Sequence, residues 1–284
     1  MQKKVFLCVL GDARQIYMCK ALAKYGVVYA YGIDCFDDSI ISLDDISAMT
    51  QKADILVLPI MKSDGLNISQ NGRRIDCSDL ALHLKSNAIV TGGRLSTKQI
   101  EFFSSLGFDV KDYFMRDELV IKNCIPTAEG ALQLAMQEMA CTIKGSRVLI
   151  IGYGRVGKAC GEIFYAMGAD TVCTARRLSS LAEAENNHLS AFLLDELYGH
   201  IDSFDLIINT VPALILDKPL LNAVGKDTLI IDLASTPGGV DFKAATQLNK
   251  KVLHALSLPG KVAPVTSGEI IAKAVLNILS ERGG

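Results

Sequence analysis

The chain lacks a surplus of charge of either sign. Its 29 Lys and Arg residues stand against 31 Asp and Glu, a formal net charge of -2. There is no electrostatic case for nucleic acid or an anionic membrane surface as a partner. No apolar run reaches the roughly 18 residues that a bilayer-spanning helix needs. The opening MQKKVFLCVLGDARQ has two lysines and a short apolar run, but acidic and polar residues follow at once. It reads as a first β-strand and not as a signal peptide. Metal-ligand spacing is missing as well: the eight cysteines are at least 11 positions apart, no CxxC occurs, and the four histidines are scattered. No metal site is expected, and the thiols read as buried and reduced, as in a cytosolic protein. Internal repeats and low-complexity stretches are absent.

What is there is a globular composition, 50% hydrophobic and 21% charged over 284 residues, which suits two domains. Short apolar runs alternate with longer amphipathic segments, the pattern of βαβ units and a parallel sheet. Strands are expected at 4–10, 27–33, 53–60 and 88–93, with helices over 13–25 and over 96–107 behind a Ser96 N-cap. Pro126 disfavours helix at Cys124 and Ile125, so a long helix is expected to start at Thr127 and end near Lys144–Gly145. A second βαβ series follows, with strands near 147–151, 171–175, 205–210, 228–233 and 251–255. The expected architecture is α/β: two Rossmann-like doubly wound domains with an interdomain cleft. The boundaries are 1–125 for a substrate domain, 126–145 for an interdomain helix, 146–265 for a nucleotide domain and 266–284 for a C-terminal helix.

The stretch VLIIGYGRVGKACGEIFYAMGADTVCTARR carries the chemistry. Gly152, Tyr153, Gly154, Arg155, Val156 and Gly157 fit G-x-G-x-x-G between an apolar strand and a helix, with a second strand about 20 residues on. Gly152 makes the tight turn, Gly154 lets the backbone approach a pyrophosphate on the helix N-terminus, and Gly157 allows close helix packing. At the end of the second strand, an acidic residue would bind the ribose hydroxyl of NAD. Here Thr174, Arg176 and Arg177 stand instead, a hydroxyl and two donor forks suited to the 2′-phosphate of NADP. NADP is therefore the expected cofactor, with NAD the other option. The turn GDARQ in the first half has one glycine, too few for a second dinucleotide site.

Ligands of doubly wound sheets lie beyond the carboxyl ends of the strands. That rule selects Asn209, Thr210, Val211 and Pro212, then Asp232, Leu233 and Ala234, as further cofactor neighbours. It selects Pro259 and Gly260, before Thr266 and Ser267, for the substrate end. In the first half it selects Asp12, Arg14 and Gln15, Arg94, and Thr127 and Glu129 at the start of the junction helix. Arg14 and Arg94 can each clamp a carboxylate, and Asp12 and Glu129 are the carboxylates available as a base. His254, at a strand end, reads as packed.

Six segments, LGDARQ, RDE…IPTAEGALQLA, GSRVLIIGYGRVGK, INTVPALIL, IDLASTPGGVDF and LPGKVAPVTSGEIIA, together resemble the family of the dipicolinate synthase A subunit, in order, from residue 10 to 272. TGGRL and Lys261 lie outside that pattern. The resemblance implies the last step of dipicolinic acid formation in endospore-forming bacteria, in the cytoplasm of the mother cell. That step oxidises dihydrodipicolinate, a small diacid, and reduces NAD(P). The resemblance also implies a second subunit of flavoprotein-like fold, the B subunit, for a partner, and association with further copies of the chain is open. Two other readings stand beside it. One is an NADP enzyme of the shikimate or methylenetetrahydrofolate dehydrogenase type, which needs a Lys–Asp pair that Lys62 and Asp64 offer only on one short loop. The other is a non-catalytic nucleotide-sensing subunit.

Overall fold

The computed structural model describes residues 3–35, 37–60, 65–70 and 72–282. The chain divides into two compact units, Met1–Asn123 with Ala263–Gly284, and Cys124–Val262.

In the first unit β1 (Lys4–Val9) leads into α1 (Ala13–Ala23), followed by β2 (Gly26–Tyr31), β3 (Ile40–Leu43) and β4 (Ala53–Ile60). A small antiparallel hairpin of β5 (Asn67–Gln70) and β6 (Arg73–Asp76) precedes α2 (Cys77–Leu82). Then come β7 (Leu84–Gly93), α3 (Thr97–Ser105), β8 (Asp109–Asp112) and the start of the long α4 (Asp117–Glu138), which from Cys124 on belongs to the second unit. Six strands make one parallel sheet in the order β3-β2-β1-β4-β7-β8. Its central strands are apolar and buried over Val5–Val9 of β1 and Ile55–Leu58 of β4, because both faces are covered. Phe6 and Cys8 of β1 enter one core, while Val5, Leu7 and Val9 enter the other. α3 starts at the expected Ser96 N-cap, whose hydroxyl accepts from Gln99 N while Gln99 returns to the Ser96 amide.

The second unit repeats the plan. Its elements are β9 (Arg147–Ile151), α5 (Arg155–Ala166), β10 (Asp170–Ala175), α6 (Leu178–Asn186), β11 (Ser190–Leu193), β12 (Leu206–Asn209) and α7 (Lys218–Ala223). Then follow β13 (Leu229–Asp232), α8 (Phe242–Gln247), β14 (Lys251–His254) and the short α9 (Leu258–Val262). The sheet is again parallel, in the order β11-β10-β9-β12-β13-β14. The last helix, α10 (Pro264–Arg282), belongs to the first unit, where Ile271, Val275 and Ile278 complete the core beside Met18 and Leu22 of α1. Each such side chain contributes about 1.5–3 kcal/mol by leaving water. Gly268 permits the close crossing, because a Cβ there would collide with Arg14 O and Met18 N.

Both sheets reverse strand order once, between β1 and β4 and between β9 and β12. Those are the points where doubly wound sheets hold ligands. The β1–α1 turn and the β9–α5 turn therefore occupy equivalent places in their own units.

The helix expected from Thr127 differs most from expectation. α4 starts ten residues earlier, at Asp117, runs through Pro126 and stops at Glu138 rather than near Lys144. Proline inside a helix removes one backbone bond, at a cost of roughly 3 kcal/mol. Burial of Leu119, Cys124, Ala128, Ala131 and Ala135, at helical spacing on both sides of it, offsets that cost. Asp117 and Glu118 favour the early start, since acidic residues suit a helix N-terminus. Glu129 therefore lies well inside the helix and not in its first turn. α10 also begins two residues earlier than expected, at Pro264.

Candidate functional site

The β9–α5 turn is built for a dinucleotide. Gly152 has φ +91°, which favours glycine. A Cβ on Gly157 would run into Gly152 O, so the helix cannot seat against the turn with any larger residue. Gly154 has ordinary backbone angles and open space beside it, so nothing in the protein itself requires glycine there. The requirement comes from what must approach it. Gly154 is also the N-cap of α5 and supplies no side-chain cap, which leaves the first helical amides open to an anion. Tyr153 turns inward, 4% exposed, with its hydroxyl accepting from Asn187 Nδ2 at 3.0 Å. Burial raises the Tyr153 phenol above its usual range. It anchors the turn to the helix behind.

Beside this turn lies a cleft of about 380 Å³ lined by Gly152–Gly154, Thr174–Arg177, Ser180, Leu194 and Val211. Thr174 is fully buried, and its Oγ1 has no hydrogen-bond partner. Arg176 and Arg177 are exposed, and neither guanidinium makes an ion pair or side-chain hydrogen bond among the described residues. Arg177 is the N-cap of α6 and, like Gly154, supplies no side-chain cap. Four unmet donors thus line one wall: two guanidinium forks, a hydroxyl and a helix N-terminus.

The loops after β12 and β13 hold each other. Asn209 is fully buried, and its Nδ2 donates to Asp232 Oδ1 at 2.8 Å and to Val211 O at 3.0 Å. Asp232, also fully buried, accepts from Ala234 N and from Gly239 N at 2.8 Å. Thr210 Oγ1 donates to Ile151 O and Gly152 O, tying the loop to the glycine turn. These side chains, expected beside the cofactor, are spent on positioning backbone, while Val211 lines the cleft and Pro212 is exposed. Leu233 N bonds Asn209 O. His254 packs on Phe242 and meets Ala234 O at 3.2 Å, as its position implied. In the same unit Gly130 of α4 lies against Leu258 of α9, where a Cβ would crowd that side chain at 2.9 Å. The segment carrying Thr127 and the exposed Glu129 is thereby brought beside the segment carrying Pro259 and Gly260.

In the first unit Asp12 and Arg14 find one another. Arg14 Nε and Nη2 donate to the Asp12 carboxylate at 2.8 and 2.6 Å, and Asp12 also caps α1. Burial alone would raise the Asp12 carboxyl, but the hydrogen bonds and charge of Arg14 outweigh it and hold it below the usual carboxylate range. Asp12 is thus a poor proton acceptor and a good counter-ion. Arg94 adopts φ +59° in a turn held by Asp112, which accepts from the Arg94, Leu95 and Phe114 amides. Its guanidinium rests on the Phe114 ring, 4.8 Å from the centroid. Lys62 and Asp64 lie outside the described residues. Missed from sequence were Tyr153 as a packed anchor and the mutual bonding of Asn209 and Asp232. The 23-residue separation within that pair gave no local signal.

Comparison with known proteins agrees with this geometry. Residues 126–256 match the family described as D-isomer specific 2-hydroxyacid dehydrogenase, NAD binding domain. The chain is 33% identical over 281 residues to the dipicolinate synthase A subunit of Bacillus subtilis, covering 95% of this chain and 94% of that protein. The crystal structure of the dipicolinate synthase A subunit from Bacillus halodurans superposes with TM-score 0.89 at 29% identity, over 98% of each chain. That of its Bacillus subtilis counterpart gives 0.85 at 31%, covering 99% of this chain and 97% of the other. Among the described residues no helix is long and apolar enough to cross a membrane, and no group of side chains could hold a metal ion.

Proposed function

Because the chain belongs to the family of the dipicolinate synthase A subunit, we propose that it oxidises dihydrodipicolinate to dipicolinate with a nicotinamide dinucleotide, NADP before NAD. The observation that carries the cofactor half is the cleft wall with no carboxylate and two unpaired arginines at the end of β10. When bound, the nicotinamide supplies the hydride acceptor. The rest falls to this chain's residues. The α5 amides and Gly154 hold the pyrophosphate, and Arg176, Arg177 and Thr174 hold the adenosine ribose with its 2′-phosphate. Asn209, Thr210 and Asp232 fix the loops that shape the nicotinamide end.

Oxidation removes a hydride and a proton from the dihydropyridine ring. Glu129, exposed on α4 beside the Pro259–Gly260 segment, is the base we assign to that proton. In the second unit Thr127, Pro259 and Gly260 line the substrate; in the first unit Arg14, held by Asp12, is the guanidinium we assign to carboxylate recognition. Aromatisation supplies driving force, so one modest base suffices. The family name implies a B subunit for a partner, and the reaction belongs to sporulation in the mother cell.

The test is direct. The pure chain, with and without its partner subunit, is incubated with dihydrodipicolinate and NADP, and reduced-nicotinamide absorbance is followed. Dipicolinate and NADPH should appear in equal amounts. Turnover of shikimate or methylenetetrahydrofolate instead would move the chain to a different dehydrogenase class. No turnover of any of the three would leave nucleotide sensing as the reading.

A further inference from the structure

The two sheets place two turns at equivalent switch points, and the turns differ in one physical respect. The α5 N-terminus is uncapped and open, whereas that of α1 is closed by a reciprocal cap. Asp12 accepts from Arg14 N at 3.1 Å, and Gln15 Oε1 accepts from Asp12 N at 3.0 Å. The Asp12, Arg14 and Gln15 amides are thus already engaged, and a ligand is best met by side chains.

Gln15 is the side chain left with something to give. It is 2% exposed, and its Nε2 has no hydrogen-bond partner. The amide cannot be reversed, because that would set its NH₂ against the Asp12 N–H. Gly11, at φ +115°, makes room for it, since a Cβ there would strike Gln15 Cδ and Oε1. Leu10 adds a second left-handed residue at φ +50°. The left-handed turn at Leu10 and Gly11 and the cap therefore fix an amide whose two N–H donors go unmet. A buried donor without a partner costs about as much as a lost hydrogen bond, so its retention calls for an explanation. Both Nε and Nη2 of the neighbouring Arg14 are bound to Asp12, so that pair is close to charge-neutral. What such an unmet N–H donor suits is an acceptor group.

We propose that Gln15 Nε2 donates to a carboxylate of the diacid substrate at the switch point of the first unit. This inference rests on the diacid reading above. The donor is oriented before the ligand arrives, so little ordering is left to be done on binding.

Two variants of the full chain test it, with dipicolinate itself as the calorimetric probe. Gln15→Glu keeps an oxygen for the Asp12 amide, as Glu does in such caps, but removes the donor. Gln15→Met removes donor and acceptor without adding charge. Both should bind dipicolinate roughly tenfold or more weakly. NADP affinity should be unchanged in both, and both should lose some thermal stability, Gln15→Met through the lost cap and Gln15→Glu through a buried charge beside Asp12. Wild-type affinity for dipicolinate in Gln15→Met overturns the assignment of Gln15 alone. A wild-type chain that binds NADP but no dipicolinate overturns the diacid reading along with it.

Discussion

At the scale of single residues the claim with most consequence concerns Arg176 and Arg177. The ribose 2′-phosphate carries nearly two charges, and one lost charge-assisted bond costs about 1.5–3 kcal/mol, partly screened in an open cleft. Arg176→Ala should weaken NADP several-fold, more at low salt, and leave NAD nearly unchanged in parallel titrations. Equal losses for both nucleotides would mean that the arginines serve the fold. Asp12 gives a second residue-scale prediction. Its carboxyl is depressed in the folded chain, so the pair stabilises above the unfolded pKa of about 3.9 and stops doing so as pH falls through the lower folded value. Asp12→Asn keeps a cap but loses the ion pair. It should cost about 1 kcal/mol at neutral pH, discounted for partial exposure, and the gap to wild type should close in acid unfolding below about pH 4. A gap that stays constant from neutral pH to about pH 3 would sink this account of the pair.

At the scale of elements, the β9–α5 turn separates two uses of glycine. A Cβ at Gly154 meets nothing, so Gly154→Ala should melt within a degree or two of wild type and yet bind neither NADP nor NAD. Gly157→Ala should lose both stability and binding, since its Cβ meets backbone. Calorimetry and thermal melts on the two variants check this, and an unimpaired Gly154→Ala would remove the pyrophosphate from that turn. The glycine turn is legible in sequence because its spacing sits on a strand–turn–helix pattern. The expected start of α4 is wrong because a local rule, proline against helix, loses to apolar burial on both sides of Pro126. The strands β3, β5, β6, β8 and β11 escape notice because each is four residues long with mixed polarity. Periodicity needs a longer run to speak. The Asp12–Arg14 pair is hidden although the two residues are neighbours. Each suits an outward role on its own, and nothing in spacing says that two opposite charges will face each other.

At the scale of the whole molecule, one strand order occurs twice, with an open helix N-terminus in one unit and a capped one in the other. That difference is the reason we assign the nucleotide to Cys124–Val262 and propose side-chain recognition of a carboxylate by Arg14 and Gln15 in the other unit. The central claim is direct hydride transfer from the dihydro diacid to the nicotinamide. It is tested most directly with dihydrodipicolinate deuterated at the ring carbon that loses hydride, incubated with NADP, the chain and its partner subunit, with both products analysed by mass spectrometry. The account predicts one deuterium in NADPH for each dipicolinate formed. Dipicolinate produced with no deuterium in the nucleotide would contradict it and leave the bound nucleotide a regulatory role.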